Sequence, residues 1–437
     1  MSVTFEHDRG AQWLMAADSR LDVDAATGRL DGAALAVSFD EAGVEPWAQA
    51  ALLAVVAAGK RMFRRGVYLV SAEDPPCRLA LYGAGSFRRR LIAAGAHDRP
   101  APQGAAQLHI GRRGKDGVLA CWADGWSAWV GPGQPPGQAA QSNEIGGVLA
   151  AALGLQEAFR RHVLLDLRAG RRTYGLSAWG PDAPADGRLL RLPSELWVLG
   201  LGNLGQATLL VLGVLPYWDP RNARLLLQDF DTAGLENLGV QVLTEPSWIG
   251  RRKARCVAEW ADRLGFNTDI CERAFQLGHQ PGRDEPRVLL GCVDNLEARR
   301  AAASAGFDLM VDAGLGATAA EAFDVRLHAF PGRRGIAEVW PDTPLAAPRL
   351  SPGLERAVAD GRIDACGAMS IAGRSVGVPC TALAAAAIQI AQVVRAFETG
   401  GCCDLVDLTL PLADEAVFKV MPVELGRSPA FAPARLG

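Results

Sequence analysis

The stretch Leu196-Trp197-Val198-Leu199-Gly200-Leu201-Gly202-Asn203-Leu204-Gly205 decides the fold. Residues 196–200 are mostly apolar and read as a buried strand, and 204–215 are apolar enough for the helix that follows. Between them Gly200, Gly202 and Gly205 stand at G-x-G-x-x-G spacing. Glycines so spaced allow a tight turn and let backbone N–H groups approach a phosphate at a helix N-terminus. Alone, the triplet is equally a sharp turn or a seat for NAD or FAD. The residues downstream decide between these.

A second apolar strand, 224–228, ends in Asp229-Phe230-Asp231, acids where a dinucleotide fold holds ribose hydroxyls. Glu236-Asn237-Leu238 and Gln241 follow, then Gly250-Arg251-Arg252-Lys253, which opens a new helix. A further strand, 287–293, ends in Asp294-Asn295, with Arg299 shortly after. A dehydrogenase has no use for a lysine and another aspartate at the phosphate end of the crevice. An enzyme that splits ATP does: a cation to neutralise phosphate oxygens and a carboxylate, Asp294, to hold Mg²⁺. Strands at 308–315 and 324–330, alternating with helices such as 253–264, predict an α/β fold with a mostly parallel, doubly wound sheet.

In this order the motifs resemble those of the ThiF/MoeB and ubiquitin-activating (E1-type) superfamily. The likeness covers residues 195–330, extends more weakly to about 400, and is greatest to the two-half bacterial enzymes of BilD-like ubiquitin-like conjugation operons, some linked to phage defence. The chain departs from the family pattern at Val240, where an arginine usually contacts phosphate. The resemblance implies a Rossmann-like adenylation domain. Gly200, Gly202, Gly205, Asp229, Asp231, Asn237, Gln241, Lys253, Asp294 and Asn295 would surround ATP, with Lys253 on the phosphates and Asp294 on the metal. It also implies two partners, a ubiquitin-like protein and a conjugating E2-type enzyme. Three other readings share the nucleotide site: a sulfur-carrier activator, a peptide-adenylating enzyme, and a non-catalytic nucleotide-binding protein.

The 437 residues suggest two domains, here 1–185 and 186–437. With 49% hydrophobic and 21% charged residues, the composition is that of a globular protein. A formal charge of −3 offers no electrostatic basis for nucleic-acid binding. The first residues lack the basic-then-apolar pattern of a signal peptide, and no apolar run reaches the ~20 residues of a membrane helix. A cytoplasmic protein with no membrane partner is the expectation. The nine cysteines contain no C-x-x-C pair, so the structural zinc of many sulfur-carrier relatives is not expected.

In the first half, residues 47–65 form a helix-like, alanine-rich run that ends in Lys60-Arg61 and Arg64-Arg65. Residues 78–82 read as a strand meeting Gly83-Ala84-Gly85, and 107–110 as another. Residues 118–130 have a hairpin pattern, and Ser142-Asn143 caps a helix. This resembles the degenerate, inactive adenylation half of two-half activating enzymes, and residues 168–193 read as the linker. Such a half can supply the charge missing at Val240, with Arg64 and Arg65 as the candidates.

Beyond 330 the sequence loses periodicity and gains prolines up to about 365, the place of the family's crossover loop. Cys366 follows, ahead of an apolar helix expected from about 371 to 397. A thiol near a helix N-terminus is favoured as thiolate, and the resemblance makes Cys366 the thioester-forming residue. Cys292 and Cys380 lie in apolar runs and read as structural.

Overall fold

A computed structural model describes residues 8–111, 118–132, 141–342, 350–363, 377–425 and 431–435. Two short helices, α1 (Arg9–Ala17) and α2 (Val23–Gly32), come first, and Asp8 and Asp22 cap them by accepting from backbone N–H groups. The first sheet is then laid down by β1 (Ala34–Phe39), α3 (Pro46–Met62), β2 (Gly66–Leu69), α4 (Phe87–Ala93), β3 (Ala106–Ile110), β4 (Leu119–Asp124), β5 (Ser127–Gly131), α5 (Glu144–His162) and β6 (Tyr174–Ser177). Its strand order is β2-β1-β3-β4-β5-β6; the first four strands are parallel and the last two antiparallel.

After β7 (Arg191–Pro193) the chain builds a second sheet from β8 (Glu195–Leu199), α6 (Asn203–Val214), β9 (Arg224–Gln228), α7 (Lys253–Arg263), β10 (Asn267–Cys271), β11 (Val288–Gly291), α8 (Leu296–Ala303), β12 (Leu309–Leu315) and β13 (Asp324–Phe330). Among the described residues α9 (Ile336–Val339) and α10 (Pro352–Ala359) lie in the connection to α11 (Pro379–Thr399), which leads into β14 (Gly401–Thr409) and β15 (Val417–Pro422). The order is β10-β9-β8-β11-β12-β13-β14-β15, parallel from β10 to β12 and antiparallel beyond. A terminal strand, β16 (Phe431–Pro433), pairs back onto β7.

The two sheets share one wiring. Without its outer strands β10 and β15, the second sheet reads β9-β8-β11-β12-β13-β14, matching β2-β1-β3-β4-β5-β6 in order and direction. The long helices match too: α3 and α6 follow the first strand of each sheet, and α5 and α11 join the last two of the matched strands. These four helices pack on one another, α3 on α5, α5 on α11 and α11 on α6. That packing explains why they are apolar nearly all round. The α11 helix alone is long and apolar enough to cross a membrane among the described residues, and 94% of its apolar window is buried inside the protein.

The first half differs from the sequence reading. Residues 80–82 form a single 3₁₀ turn, not a strand, and Gly83 and Gly85 belong to the turn after it. The counterpart of the glycine turn lies earlier, after β1, where Asp40 caps the 3₁₀ turn Glu41–Val44 and Pro46 opens α3. The sequence of β1, Ala-Leu-Ala-Val-Ser-Phe, carries little of the β-branched signal that marks a strand. The expected linker 168–193 holds two strands, β6 and β7. Helix α11 begins at Pro379, and residues 371–376 lie outside the described residues.

Candidate active site

Parallel strands place their carboxyl ends on one edge, and the order reverses between β8 and β11 because the chain first builds β9 and β10 on one side. Open α/β sheets bind ligands at such a switch point. The glycine turn lies there. Gly200 has φ +90°, and a Cβ on it would lie 2.8 Å from the carbonyl oxygen of Cys292. A Cβ on Gly205 would fall on the Gly200 carbonyl, whereas one on Gly202 would meet nothing within 4 Å. Packing therefore requires the outer two glycines, and the middle one borders open space. Asn203, the first residue of α6, has both amide atoms buried with no hydrogen-bond partner among the described residues. Sequence reading missed this residue, since the motif treats its position as variable.

The acids after β9 divide their work. Asp229 accepts from the Leu201 N–H at 2.7 Å and from the Asp231 N–H at 2.7 Å, pinning the glycine turn to its own strand end. Burial raises the pKa of its carboxyl, against the lowering effect of these donors and Lys253. Asp231 accepts from Lys253 Nζ at 2.8 Å, and its carbonyl accepts from the Lys253 N–H. Lys253 is the buried first residue of α7, so Asp229, Asp231 and Lys253 form one chain of contacts beside the turn.

Asn237 and Gln241 shape the segment that carries them. Asn237 Oδ1 accepts from the Gly234 N–H at 2.9 Å. Gln241 Oε1 accepts from Gln206 Nε2 and Thr244 Oγ1, both at 2.8 Å, which holds residues 241–244 against α6. Val240 is buried in an apolar pocket between the halves, lined by Trp13, Leu30, Met62, Phe159 and Pro379, with Arg9 and Arg61 at its wall. Of the basic cluster ending α3, Arg61 is the arginine that grips this segment, donating to the carbonyls of Leu238 and Thr244. Lys60 pairs with Glu245 at 2.8 Å. Arg64 instead holds Asp8 and Asp31, and Arg65 is exposed.

Past the end of β11, Asp294 is exposed and has no side-chain partner among the described residues. Asn295 caps α8 by accepting from the Ala298 N–H at 2.8 Å. Arg299 donates back to the Val293 carbonyl and pairs with the buried Asp312. Cys366 lies outside the described residues. Gly377, the first described residue after it, rests against the glycine turn: a Cβ there would lie 3.4 Å from Asn203 Nδ2. Burial pushes both the Cys292 and Cys380 thiols up to about 12, which leaves them poor nucleophiles.

The equivalent edge of the first sheet is closed. Its switch point lies between β1 and β3, and His109 fills it, with Nδ1 at 2.9 Å from Ser38 Oγ and Nε2 at 3.5 Å from Asp40. No glycine triplet follows β1.

A family model described as the BilD C-terminal domain matches residues 192–400, and one described as the BilD N-terminal domain matches 34–178. The chain is 33% identical over 419 residues to the bacterial E1-like protein BilD of Collimonas sp. (strain OK412), covering 92% of this chain and 91% of that one. Among solved structures it is similar to E. coli MccB. The crystal structure with MccA-N7isoASN shares 14% identity at TM-score 0.33, over 54% of this chain and 66% of that one. The structure with ATP shares 15% at TM-score 0.32, over 54% and 65%. The chain thus spans just under two thirds of the MccB chains.

Proposed function

The chain belongs to the BilD family of bacterial E1-like proteins, and we propose that it activates a ubiquitin-like protein by ATP-dependent acyl-adenylation of that protein's C-terminus. The activated protein then passes through a thioester on Cys366 to an E2-type conjugating enzyme, in a bacterial pathway of the antiphage kind. The observation that carries this reading is the convergence at one switch point of the glycine turn, the Asp229–Asp231–Lys253 chain and the unpartnered Asp294.

ATP would lie across the turn, its ribose toward Asp229 and Asp231 and its phosphates over the bare Gly202 and toward Lys253. Nucleotide phosphate competes with Asp231 for the Lys253 ammonium, so that ion pair opens as the site fills. Asp294 fits a magnesium ion: an exposed carboxylate with no competing cation among the described residues leaves the other positions to phosphate oxygens and water, as this ion prefers. Bound there, Mg²⁺ would supply positive charge to the phosphates. The carboxylate oxygen of the ubiquitin-like protein attacks the α-phosphorus, the α–β bond breaks and pyrophosphate leaves. The Cys366 thiolate then attacks the acyl carbon and AMP leaves. Positioning and charge do most of this work. Cys366 and Gly377 at the turn are eleven residue steps apart, a reach of up to about 36–40 Å when extended, so chain length permits the encounter.

The charge absent at Val240 is supplied from the N-terminal half in this reading. Arg61 is better disposed than Arg64 or Arg65, because it already holds residues 238–244. The first half, with its crevice closed by His109, acts as the inactive partner of residues 186–437.

The test pairs the purified chain with a ubiquitin-like protein and Mg-ATP. A reductant-sensitive adduct is expected with wild type and absent from Cys366→Ala. An adduct that persists in Cys366→Ala and disappears in Cys380→Ala contradicts the assignment, and absence of any adduct reduces the reading to adenylation alone.

A further inference from the structure

We infer that Arg299 and Asp312 are a positioning pair that fixes the strand end bearing Asp294 and thereby sets how Mg²⁺ is taken up with ATP; the inference rests on the adenylation reading above. Asp312 sits in β12 with no exposed surface, and Arg299 Nη1 lies 3.0 Å from its Oδ2. Among the described residues neither carboxylate oxygen meets hydrogen-bond geometry, so this ion pair with the guanidinium is its one polar contact there. Arg299 turns its remaining donors to the backbone. Nε and Nη2 reach the Val293 carbonyl at 3.1 and 2.8 Å, and Nη2 reaches the Ala313 carbonyl at 3.2 Å.

Val293 directly precedes Asp294, and a Cβ on Gly200 would come within 3.0 Å of Val293 Cγ1. One guanidinium therefore ties β12, the end of β11 and, through Val293, the glycine turn. The chain makes room for the pair on both sides. A Cβ on Gly291 would lie 2.5 Å from Asp312 Oδ1, and one on Gly314 would lie 3.0 Å from Arg299 Nη1. No other cation pairs with Asp312 among the described residues. His328, its register partner in β13, accepts from Arg334 at Nδ1, and burial with nearby arginines lowers it to about 4, so it is neutral. Cys292, the other titratable neighbour, is held as a thiol.

A buried ion pair seldom adds stability over apolar residues of similar size, whereas loss of one partner leaves a costly unpaired charge. The pair's value here is registry. With Asp312 neutral, Arg299 is drawn toward water, the Val293 carbonyl is released, and Asp294 loses its fixed place.

The experiment is calorimetric titration of the full chain with ATP in MgCl₂ and in EDTA. Its readout is the ratio of the two dissociation constants. Wild type is expected to bind at least about tenfold more tightly with Mg²⁺. In Asp312→Asn the ratio should fall to between about one and three while EDTA affinity stays within about threefold. Asp312→Asn/Arg299→Met, which leaves no unpaired charge and guards against misfolding of the single variant, should melt near wild type and show the same lost ratio. A merely structural pair would lower the melting temperature and leave the ratio alone. A wild-type ratio retained in either folded variant overturns the inference. No Mg²⁺ effect in wild type overturns the adenylation reading as well, and a ratio lost in Asp294→Ala but kept in Asp312→Asn overturns the inference alone.

Discussion

Substituting the glycines of the turn one at a time separates folding from function. Gly200→Ala puts a methyl 2.8 Å from the Cys292 carbonyl oxygen and 2.9 Å from its carbon, at a residue with φ +90°. Neither contact is with a flexible side-chain end, so backbone must move by about half an ångström to reach ordinary contact. Overpacking of this kind costs about 1–3 kcal/mol, and the left-handed conformation adds about 1–2 kcal/mol. We expect Gly200→Ala to lose about 2–5 kcal/mol by urea denaturation. Gly202 differs: its φ is −77°, and a Cβ would meet nothing within 4 Å. Gly202→Ala should therefore stay within about 1 kcal/mol of wild type, the scale of an N-cap change. Its methyl would stand where the phosphates approach the turn, and Mg-ATP affinity should fall by about tenfold, or ~1.4 kcal/mol. If Gly202→Ala binds Mg-ATP as wild type does, the phosphates do not lie over this turn. If Gly200→Ala is as stable as wild type, the packing argument is wrong.

Other outcomes follow from the same geometry. Arg61→Ala strands two carbonyls of the 238–244 segment and should destabilise by about 2–3 kcal/mol, with faster amide exchange confined first to residues 235–245; unchanged exchange there would refute the clamp. Burial lifts Asp312 to about 6, above the ~3.9 of an unfolded aspartate, so the folded state favours its protonation. This group's stabilising term is full below the unfolded value and lost as pH rises through about 6. Relative to Asp312→Asn, wild type should gain about 1 kcal/mol between pH 7 and pH 5 in paired urea melts, and a relative loss would contradict the sign. His109→Ala opens the crevice of the first sheet without supplying a glycine turn, so calorimetry should still find one ATP per chain; a second equivalent would mean that half is only plugged.

The second sheet was legible because its motifs are set by chemistry: a bare turn, acids at strand ends and a lysine opening a helix. The mostly parallel α/β arrangement predicted from them is the one observed, with β13, β14 and β15 as an antiparallel addition. The first half was legible only in part. The hairpin of β4 and β5 and the Asn143-capped helix carry strong local signals. By contrast β1 is rich in alanine, and the Gly83–Gly85 turn offered a false glycine motif. Asn237 and Asn295 bond their own segments, whereas Gln241 bonds both Thr244 and Gln206 of α6, a distinction only tertiary contacts reveal. Arg61, Asn203 and Asp312 could not be singled out for a related reason. Their importance comes from burial and, for Arg61 and Asp312, from tertiary partners, which spacing does not encode.

The most direct test of the central claim is ATP–pyrophosphate exchange driven by a ubiquitin-like protein, in wild type and Asp294→Ala. Wild type should return labelled pyrophosphate into ATP only when the C-terminal carboxylate of that protein is intact, and Asp294→Ala should reduce the rate at least about 10²-fold while retaining the wild-type circular dichroism. Exchange that needs no ubiquitin-like protein, or an undiminished rate in Asp294→Ala, would contradict the account.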